Sequence, residues 1–182
     1  STRKTSYLGV FAVLFLVSCA TYYQRQEAFN TLLLRGDLEK ADQQLAKDKK
    51  APEGRNRMLY NLNRGTVNWM LGKNVESNEF FNKADLIAED YQKTAASTAL
   101  TFISNPMTAE YKPEDFEVVL IHYYKAINWL KLGNYENALV ECRRLNINLN
   151  ALNDKYPTRK NRYKVDAFGL NLMGMVYDAS GD

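Results

Sequence analysis

The sequence predicts an all-α fold. Four glycines, at positions 36, 72, 133 and 181, each follow a stretch in which apolar residues recur at helical spacing. Glycine directly after the last periodic residue is a common helix stop, because it enters the left-handed backbone region without steric cost. No window alternates polar and apolar residues over a length that predicts a strand.

The breaks between periodic stretches give the order of the predicted elements. Pro52 and Pro157 interrupt the helical pattern, and residues 105–112 form the predicted exposed loop. Pro113, followed by two acidic residues, is typical of a helix start, because the acids face the positive end of the helix dipole. Helices are predicted near residues 22–35, 38–50, 56–71, 75–103, 113–132, 135–155 and 162–180.

Small residues stand five positions after the first three glycines and seven positions before the last three. They are Ala41, Ser77 and Ala138 after the glycine, and Gly65, Ala126 and Gly174 before it. This pattern resembles the tetratricopeptide repeat, a helix–turn–helix unit of 34 residues. Small side chains at both sites allow the paired helices to approach closely.

The resemblance to the tetratricopeptide repeat is clearest over residues 126–145, where Trp129 and Tyr135 are in register with the repeat. The glycine spacings are irregular, and the extra residues fall within 85–117 and 146–164. The resemblance implies an α-solenoid, in which helical hairpins stack side by side. A helical bundle with glycine-stopped helices and no true repeat is the alternative.

The N-terminus resembles a bacterial lipoprotein signal peptide. Two basic residues precede an uncharged run, Tyr7–Val17, whose helix of about 16 Å is too short for a hydrocarbon core of about 30 Å. The tetrapeptide Leu16-Val17-Ser18-Cys19 resembles the lipobox, in which the cysteine is acylated after the preceding peptide is cleaved. The resemblance implies that residues 1–18 are removed and that acyl chains on Cys19 anchor the protein in a membrane. An ordinary signal peptide or an N-terminal anchor is the alternative.

Residues 19–182 are therefore predicted to form one helical repeat domain in the bacterial cell envelope. The residues directly after Cys19, Ala20 and Thr21, include no aspartate, which at that position retains some bacterial lipoproteins in the inner membrane. This favours the outer membrane, on either its periplasmic or its surface face. The helix predicted over 162–180 has apolar residues and no helix after it. We expect either that a partner covers this helix or that the chain is the N-terminal part of a longer protein.

Composition and charge argue against several classes of function. The net charge of +3 falls to about +1 without residues 1–18, which disfavours nucleic acid as a partner. Cys142 has no predicted disulfide partner, and His122 is the single histidine. Both are predicted to be packed core residues. Because no cluster of metal ligands or nucleophile beside a base is recognisable, we expect no enzyme activity, no metal and no cofactor.

One segment combines charge with residues that a helix must bury. Residues 137–146 carry an acid and two arginines beside apolar side chains. With residues 123–128 and 163–182, this segment resembles an uncharacterised family of bacterial lipoproteins with tetratricopeptide-like hairpins. The resemblance implies a membrane anchor and a helical repeat, and it supplies no activity. The candidate binding groove consists of Glu141, Arg143, Arg144, Tyr123 and Asn128. A structural ion pair between Glu141 and one of the two arginines is the alternative.

Two functions fit these features. The first is a membrane-anchored scaffold that binds a protein or peptide partner in its helical groove, within an envelope assembly or secretion complex. The second is a surface glycan-binding receptor, which needs exposed aromatic platforms. Trp69 and Trp129 are the candidates for such platforms, although both lie on faces that hairpin packing is expected to bury.

Overall fold

The computed structural model describes residues 23–97, 110–156 and 166–181, and the side chains of 94–97 are not among the described parts. Every regular element in these ranges is an α-helix, which confirms the predicted all-α class. The helices are α1 (23–34), α2 (Leu38–Ala46), α3 (Arg57–Met70), α4 (Asn74–Ser97), α5 (Asp115–Lys131), α6 (Tyr135–Lys155) and α7 (Ala167–Ser180).

The four predicted glycine stops are confirmed. Gly36, Gly72, Gly133 and Gly181 have φ angles of 75°, 72°, 70° and 79°, in the left-handed region that favours glycine. At the other helix ends, Asn134 caps α6 by accepting a hydrogen bond from the Asn137 amide at 3.1 Å. Asp166 caps α7 in the same way through the amides of Phe168 and Gly169.

Two predicted helix ends need correction. Helix α2 ends at Ala46 and not at residue 50, because residues 47–50 contain no apolar side chain that could bury a further turn. Helix α5 begins at Asp115, so Pro113 precedes its N-cap, Glu114. The predicted end of α4 near 103 and the predicted start of α7 near 162 lie outside the described residues, as do Cys19 and the predicted signal peptide.

The chain divides into two compact units, 1–49 and 50–182. In the described part of the first unit, α1 and α2 each bury one side chain almost completely, Phe29 and Ala41. The second unit contains α3 to α7. Each of its helices packs on the next in sequence, and α5 also contacts α3 and α7.

The α3–α4 hairpin is closed by direct contact at a glycine. A Cβ atom on Gly65 would lie 2.7 Å from Cε1 of Phe81, a distance that side chains cannot adopt. The buried hydroxyl of Ser77 donates to the Gly65 carbonyl at 2.8 Å. Phe81 in turn stacks on Tyr124 of α5, with ring centroids 5.5 Å apart.

The α5–α6 hairpin uses the same positions with different side chains. Ala126 and Ala138 are fully buried where the first hairpin has Gly65 and Ser77. Cys142 is also fully buried, as predicted, and its burial raises the pKa of the thiol to about 11. The pair of alanines therefore allows the close approach that glycine and serine allow in the preceding hairpin.

Helix α7 covers the α5–α6 hairpin with only one of its faces. Leu172 and Val176 are buried in the cluster that joins α5, α6 and α7. Counting back from Gly181, the α7 face that corresponds to the Gly65 face of α3 contains Gly174. A Cβ atom there would meet nothing within 4 Å among the described atoms. The exposed apolar residues of α7 are Phe168, Leu170, Met175 and Tyr177.

Candidate functional site

A cleft runs between α4 and α6, with α5 as its floor. In the described ranges no Cα atom of α4 comes within 8 Å of one in α6, although both helices pack on α5. Two adjoining cavities of about 220 and 330 Å³ occupy this space, and both are lined by Gln92, Val118 and Asn148. We refer to them together as the α4–α6 cleft.

A cluster of ionisable side chains closes one end of the cleft. Its members are Asp85 of α4, His122 and Lys125 of α5, and Glu141 and Arg144 of α6. The first four have side chains that are at most 8% exposed, whereas Arg144 is 45% exposed. Asp85, His122 and Arg144 line the smaller cavity, and of these three Arg144 has the most accessible side chain.

Lys125 lies at the centre of the charge cluster. Its ammonium group donates to Asp85 Oδ2 at 3.1 Å and lies 2.9 Å from Glu141 Oε1. Since buried charges are tolerated only when they are paired, each carboxylate compensates the lysine on one side. Lys125 therefore joins three helices through charge.

His122 lies between the same two carboxylates. Its Nδ1 atom is 2.8 Å from Glu141 Oε2, and its Nε2 atom is 3.6 Å from Asp85 Oδ1. Burial acts to raise the pKa of Glu141, but the hydrogen bond from His122 and the charge of Lys125 outweigh burial and hold that pKa below its ordinary value. Glu141 is accordingly a carboxylate at neutral pH.

Arg144 reaches the cleft from the charge cluster. Its Nη1 donates to Asp85 Oδ2 at 2.7 Å, which links α6 to α4 across the cleft. A guanidinium group has five N–H donors in a planar fork, so this contact leaves further donors on a residue that lines the cavity. Asp85, by contrast, has both oxygen atoms in contact with cations or with His122.

The other end of the cleft contains a second, more exposed ionic contact. Lys155 donates to both oxygens of Asp115, at 2.8 and 3.0 Å, and the Tyr156 hydroxyl donates to Oδ2 at 2.6 Å. Partial burial acts to raise the pKa of Asp115, but these hydrogen bonds lower it overall. The floor near this end is apolar, with Val119 and Leu152 beside Val118.

The structure brings only two of the five predicted groove residues together. Glu141 and Arg144 belong to the charge cluster, but Glu141 contacts Lys125 and His122, so the predicted pair between Glu141 and an arginine of its own helix is wrong. Arg143 is exposed and lies outside the residues that line the cleft. Consecutive residues of an α-helix point in directions about 100° apart, so Arg143 and Arg144 face different sides of α6.

Tyr123 and Asn128 lie away from the cleft. Tyr123 is buried and stacks on Phe168 of α7, with ring centroids 4.7 Å apart. Asn128 is fully buried and donates to Ser77 Oγ and to Asn78 Oδ1, both at 2.9 Å. Tyr123 therefore contributes to the contact of α5 with α7, and Asn128 to the contact of α5 with α4.

Sequence reasoning missed two members of the charge cluster. Asp85 falls between Ala84 and Ala88, which are both buried, so its place beside the packed face of α4 was a usable signal. Lys125 precedes the fully buried Ala126 and follows two aromatic residues. A lysine at such a position indicates a buried acidic partner, but not which acid it is.

Neither tryptophan is an exposed platform. Trp69 is half-buried and packs edge-on against Tyr124, with ring centroids 4.9 Å apart. Trp129 is half-buried against the apolar cluster of α5 and α6. The aromatic surfaces that a glycan receptor needs are therefore not provided by these two residues.

The described residues contain neither a metal site nor a membrane-spanning helix. Among the described residues, no group of three or more His, Cys, Asp or Glu side chains is placed to hold a metal ion. No helix in the described part of the chain has both the length and the apolar character needed to span a bilayer.

Comparison of the chain with protein-family models, with curated proteins and with solved structures found no match.

Proposed function

We propose that this chain is a membrane-anchored, tetratricopeptide-like scaffold that binds a protein partner in the α4–α6 cleft, within an envelope assembly or secretion complex. The observation that carries the proposal is the cleft itself. It is an open groove between two helices, with an apolar floor, amide side chains on both walls and a half-exposed arginine at one end. Such a surface suits a polypeptide, which offers apolar side chains and backbone hydrogen-bonding groups together.

The repeat is supported by equivalent packing positions. Gly65 and Ala126, both seven residues before a glycine stop, are buried where each helix meets the next. Ser77 and Ala138, both five residues after the stop, are fully buried opposite them. Successive helices that contact mainly their neighbours are the arrangement expected of a solenoid.

The anchor is supported by the sequence alone. Cys19 follows a short apolar run and the Leu-Val-Ser tripeptide, and it lies outside the described residues. Two acyl chains give stable membrane binding, because each buried methylene contributes about 0.8 kcal/mol. An anchor of this kind would hold a bound partner close to the membrane.

The anchor is tested by metabolic labelling with a fatty-acid analogue. The wild-type chain is expected to incorporate the label and to sediment with membranes. Cys19→Ala is expected to lose the label and to appear in the soluble fraction. Labelling that is unchanged in Cys19→Ala would show that the lipobox interpretation is wrong.

The binding cleft is tested by purification of the protein with its partners in mild detergent. Ala151 is exposed and lines the cleft, so Ala151→Trp is expected to fill the cleft without disturbing the core. Asn150→Trp is the matched control, because Asn150 is the exposed neighbour that does not line the cleft. A partner that is recovered with wild type and Asn150→Trp, and lost with Ala151→Trp, supports the scaffold. Equal recovery with both variants contradicts the cleft as the binding site.

The same purification distinguishes the scaffold from the glycan-binding receptor that the sequence also suggested. Retention of the wild-type protein on a polysaccharide column, without a protein partner, would favour the receptor over the scaffold. Ala151→Trp and Asn150→Trp would then be compared on the same column.

A further inference from the structure

We propose that the α4–α6 cleft recognises an extended peptide segment through two subsites, one for a carboxylate and one for an apolar side chain three or four residues away. This inference rests on the proposed function and specifies the chemistry of the partner at the same site. It follows from the positions of charged, amide and apolar residues along α6.

The carboxylate subsite is formed by Arg144. Asp85 accepts a hydrogen bond from Nη1 at 2.7 Å and so fixes the guanidinium group at the wall of the 220 Å³ cavity. A guanidinium fork binds carboxylates with two parallel hydrogen bonds, which makes arginine more selective for them than lysine. Because the side chain remains 45% exposed, it is accessible to a ligand.

A cationic ligand fits this end of the cleft less well. The two oxygens of Asp85 already contact Lys125, Arg144 and His122, so they have little capacity for another donor. Glu89, the other acid that lines the cavity, has a side chain that is 44% exposed and lies 3.7 Å from Lys93. Each acid that lines the cavity therefore has a cationic partner, and Arg144 keeps N–H donors beyond the one that binds Asp85.

The apolar subsite lies further along the cleft. Val118, Val119 and Leu152 line the 330 Å³ cavity, and Tyr91 of α4 contributes an aromatic ring to it. An aliphatic side chain that binds there would remove apolar surface from water, which favours binding.

The separation of the subsites sets the spacing in the ligand. Arg144 and Leu152 are eight residues apart on α6, which is about 12 Å at 1.5 Å per residue. An extended chain covers about 3.3 Å per residue, so the span corresponds to three or four residues. Gln92 and Asn148 line both cavities, on opposite walls between the subsites. Their amide groups can pair with the backbone of an extended peptide.

The test uses fluorescein-labelled, C-terminally amidated heptapeptides of Gly and Ser that carry one Leu and one Glu. The separation between Leu and Glu is one, three, four or six residues. Binding to the full 182-residue chain in mild detergent is measured by fluorescence anisotropy. We expect separations of three or four to bind at least about tenfold more tightly than separations of one or six, and than the Glu→Gln peptide. Equal affinity both across this series and in the set with a free C-terminus described below overturns the proposal.

The source of the carboxylate is determined in the same assay. A second set of peptides lacks Glu and has a free C-terminal carboxylate three or four residues after Leu. Preference for the carboxylate in either set supports the subsite and identifies its source as a side chain or a chain terminus. Absence of the preference in both sets overturns the proposal.

Variants of α6 assign the preference to one arginine. Arg144→Gln is expected to remove the preference for carboxylate over amide. Arg143→Gln, with the same change in net charge on the exposed neighbouring residue, is expected to keep it. Circular dichroism and thermal unfolding establish that each variant is folded. If Arg144→Gln does not fold, Arg144→Lys decides, with an expected loss of at least about threefold in the preference. A preference that is unchanged in the folded Arg144 variant overturns the assignment.

Failure of this inference differs from failure of the proposed function. If no peptide binds more tightly than the Gly/Ser background, the two-subsite inference is wrong. Recovery of a partner that is sensitive to Ala151→Trp would still support the scaffold. If no partner is recovered but the spacing series behaves as expected, the cleft binds peptides and the assembly role is wrong.

Discussion

The α3–α4 and α5–α6 hairpins have the same register but differ in the chemistry of their interiors. At the closest approach, glycine faces a phenylalanine in the first hairpin, and the equivalent positions of the second contain a fully buried alanine and a fully buried cysteine. One position away, the first hairpin has Phe80 where the second has Glu141. Close approach of the two helix backbones restricts the packed positions to side chains of complementary size. The adjacent positions can hold either aromatic or ionic side chains.

The adjacent positions differ in how their cation is accommodated. In α3, the Arg64 guanidinium lies 4.4 Å from the centroid of the Phe80 ring. In α5, the corresponding residue is Lys125, which is 3% exposed and contacts two carboxylates. A cation–π contact near the surface contributes about 0.5–1 kcal/mol. For a buried charge, both the cost of desolvation and the attraction to its partners are large, so the removal of one partner is strongly destabilising.

The largest expected effect is on Lys125. Lys125→Met removes the cation that compensates Asp85 and Glu141, and we expect a loss of about 3–5 kcal/mol in the free energy of unfolding. Arg64→Met, at the corresponding position of α3, is expected to cost about 1 kcal/mol. Urea unfolding followed by circular dichroism measures both. Similar losses in the two variants would mean that the hairpins do not differ in this way.

The next largest effect is on the close approach at Gly65. Gly65→Ala forces Cβ against the Phe81 ring, and we expect a cost of about 1–3 kcal/mol from overpacking. Gly174→Ala is the matched control in α7, where the space is open and helix propensity favours alanine by about 1 kcal/mol. Thermal unfolding is expected to shift in opposite directions for the two variants.

A double variant tests whether the residues at Gly65 and Phe81 are in direct contact. Gly65→Ala with Phe81→Cys gives the first hairpin the side chains that the second has at these positions. The double variant removes the overlap but leaves a cavity, because Ala84 and Ala88 stand where α6 has Leu145 and Leu149. We expect coupling between the two substitutions of at least about 0.5 kcal/mol in a double-mutant cycle. Strict additivity would contradict direct contact at Gly65.

A smaller effect on the free energy of unfolding is expected at the turn between α5 and α6. Asn134→Ala removes the acceptor for the Asn137 amide, and we expect a loss of about 1 kcal/mol. Lys73, at the corresponding place before α4, offers no side-chain acceptor. Lys73→Ala should therefore leave the free energy of unfolding almost unchanged in the same urea titration.

The smallest effect is on the pH dependence of stability. The pKa of Glu141 is lower in the folded chain than in the unfolded chain, so its contribution is present above the unfolded pKa of about 4.3 and is lost as pH falls through the folded pKa. Asp115 contributes with the same sign. Glu141→Gln in an Asp115→Asn background should flatten the acid limb of stability below about pH 5. An acid limb of unchanged slope would contradict both assignments.

The sequence was sufficient to predict the helices and the positions at which they meet. Glycine stops have a direct conformational cause, and the small residues around them recur at fixed distances along the chain. The charge cluster could not be predicted in the same way. Asp85 lies 40 residues from Lys125 and 59 from Arg144, so their contacts depend on how three helices pack. Within one helix, Glu141 and the two arginines suggested only a binding groove or an ion pair with each other.

The contact between Asp85 and Arg144 has a mechanical consequence. It restrains the distance between two helices whose backbones do not touch, and because Arg144 is half-exposed, salt weakens that restraint. A ligand carboxylate that shares Arg144 would change the same restraint. By thermodynamic linkage, the factor by which a bound ligand changes the equilibrium between closed and separated arrangements of α4 and α6 equals the factor by which that separation changes ligand affinity.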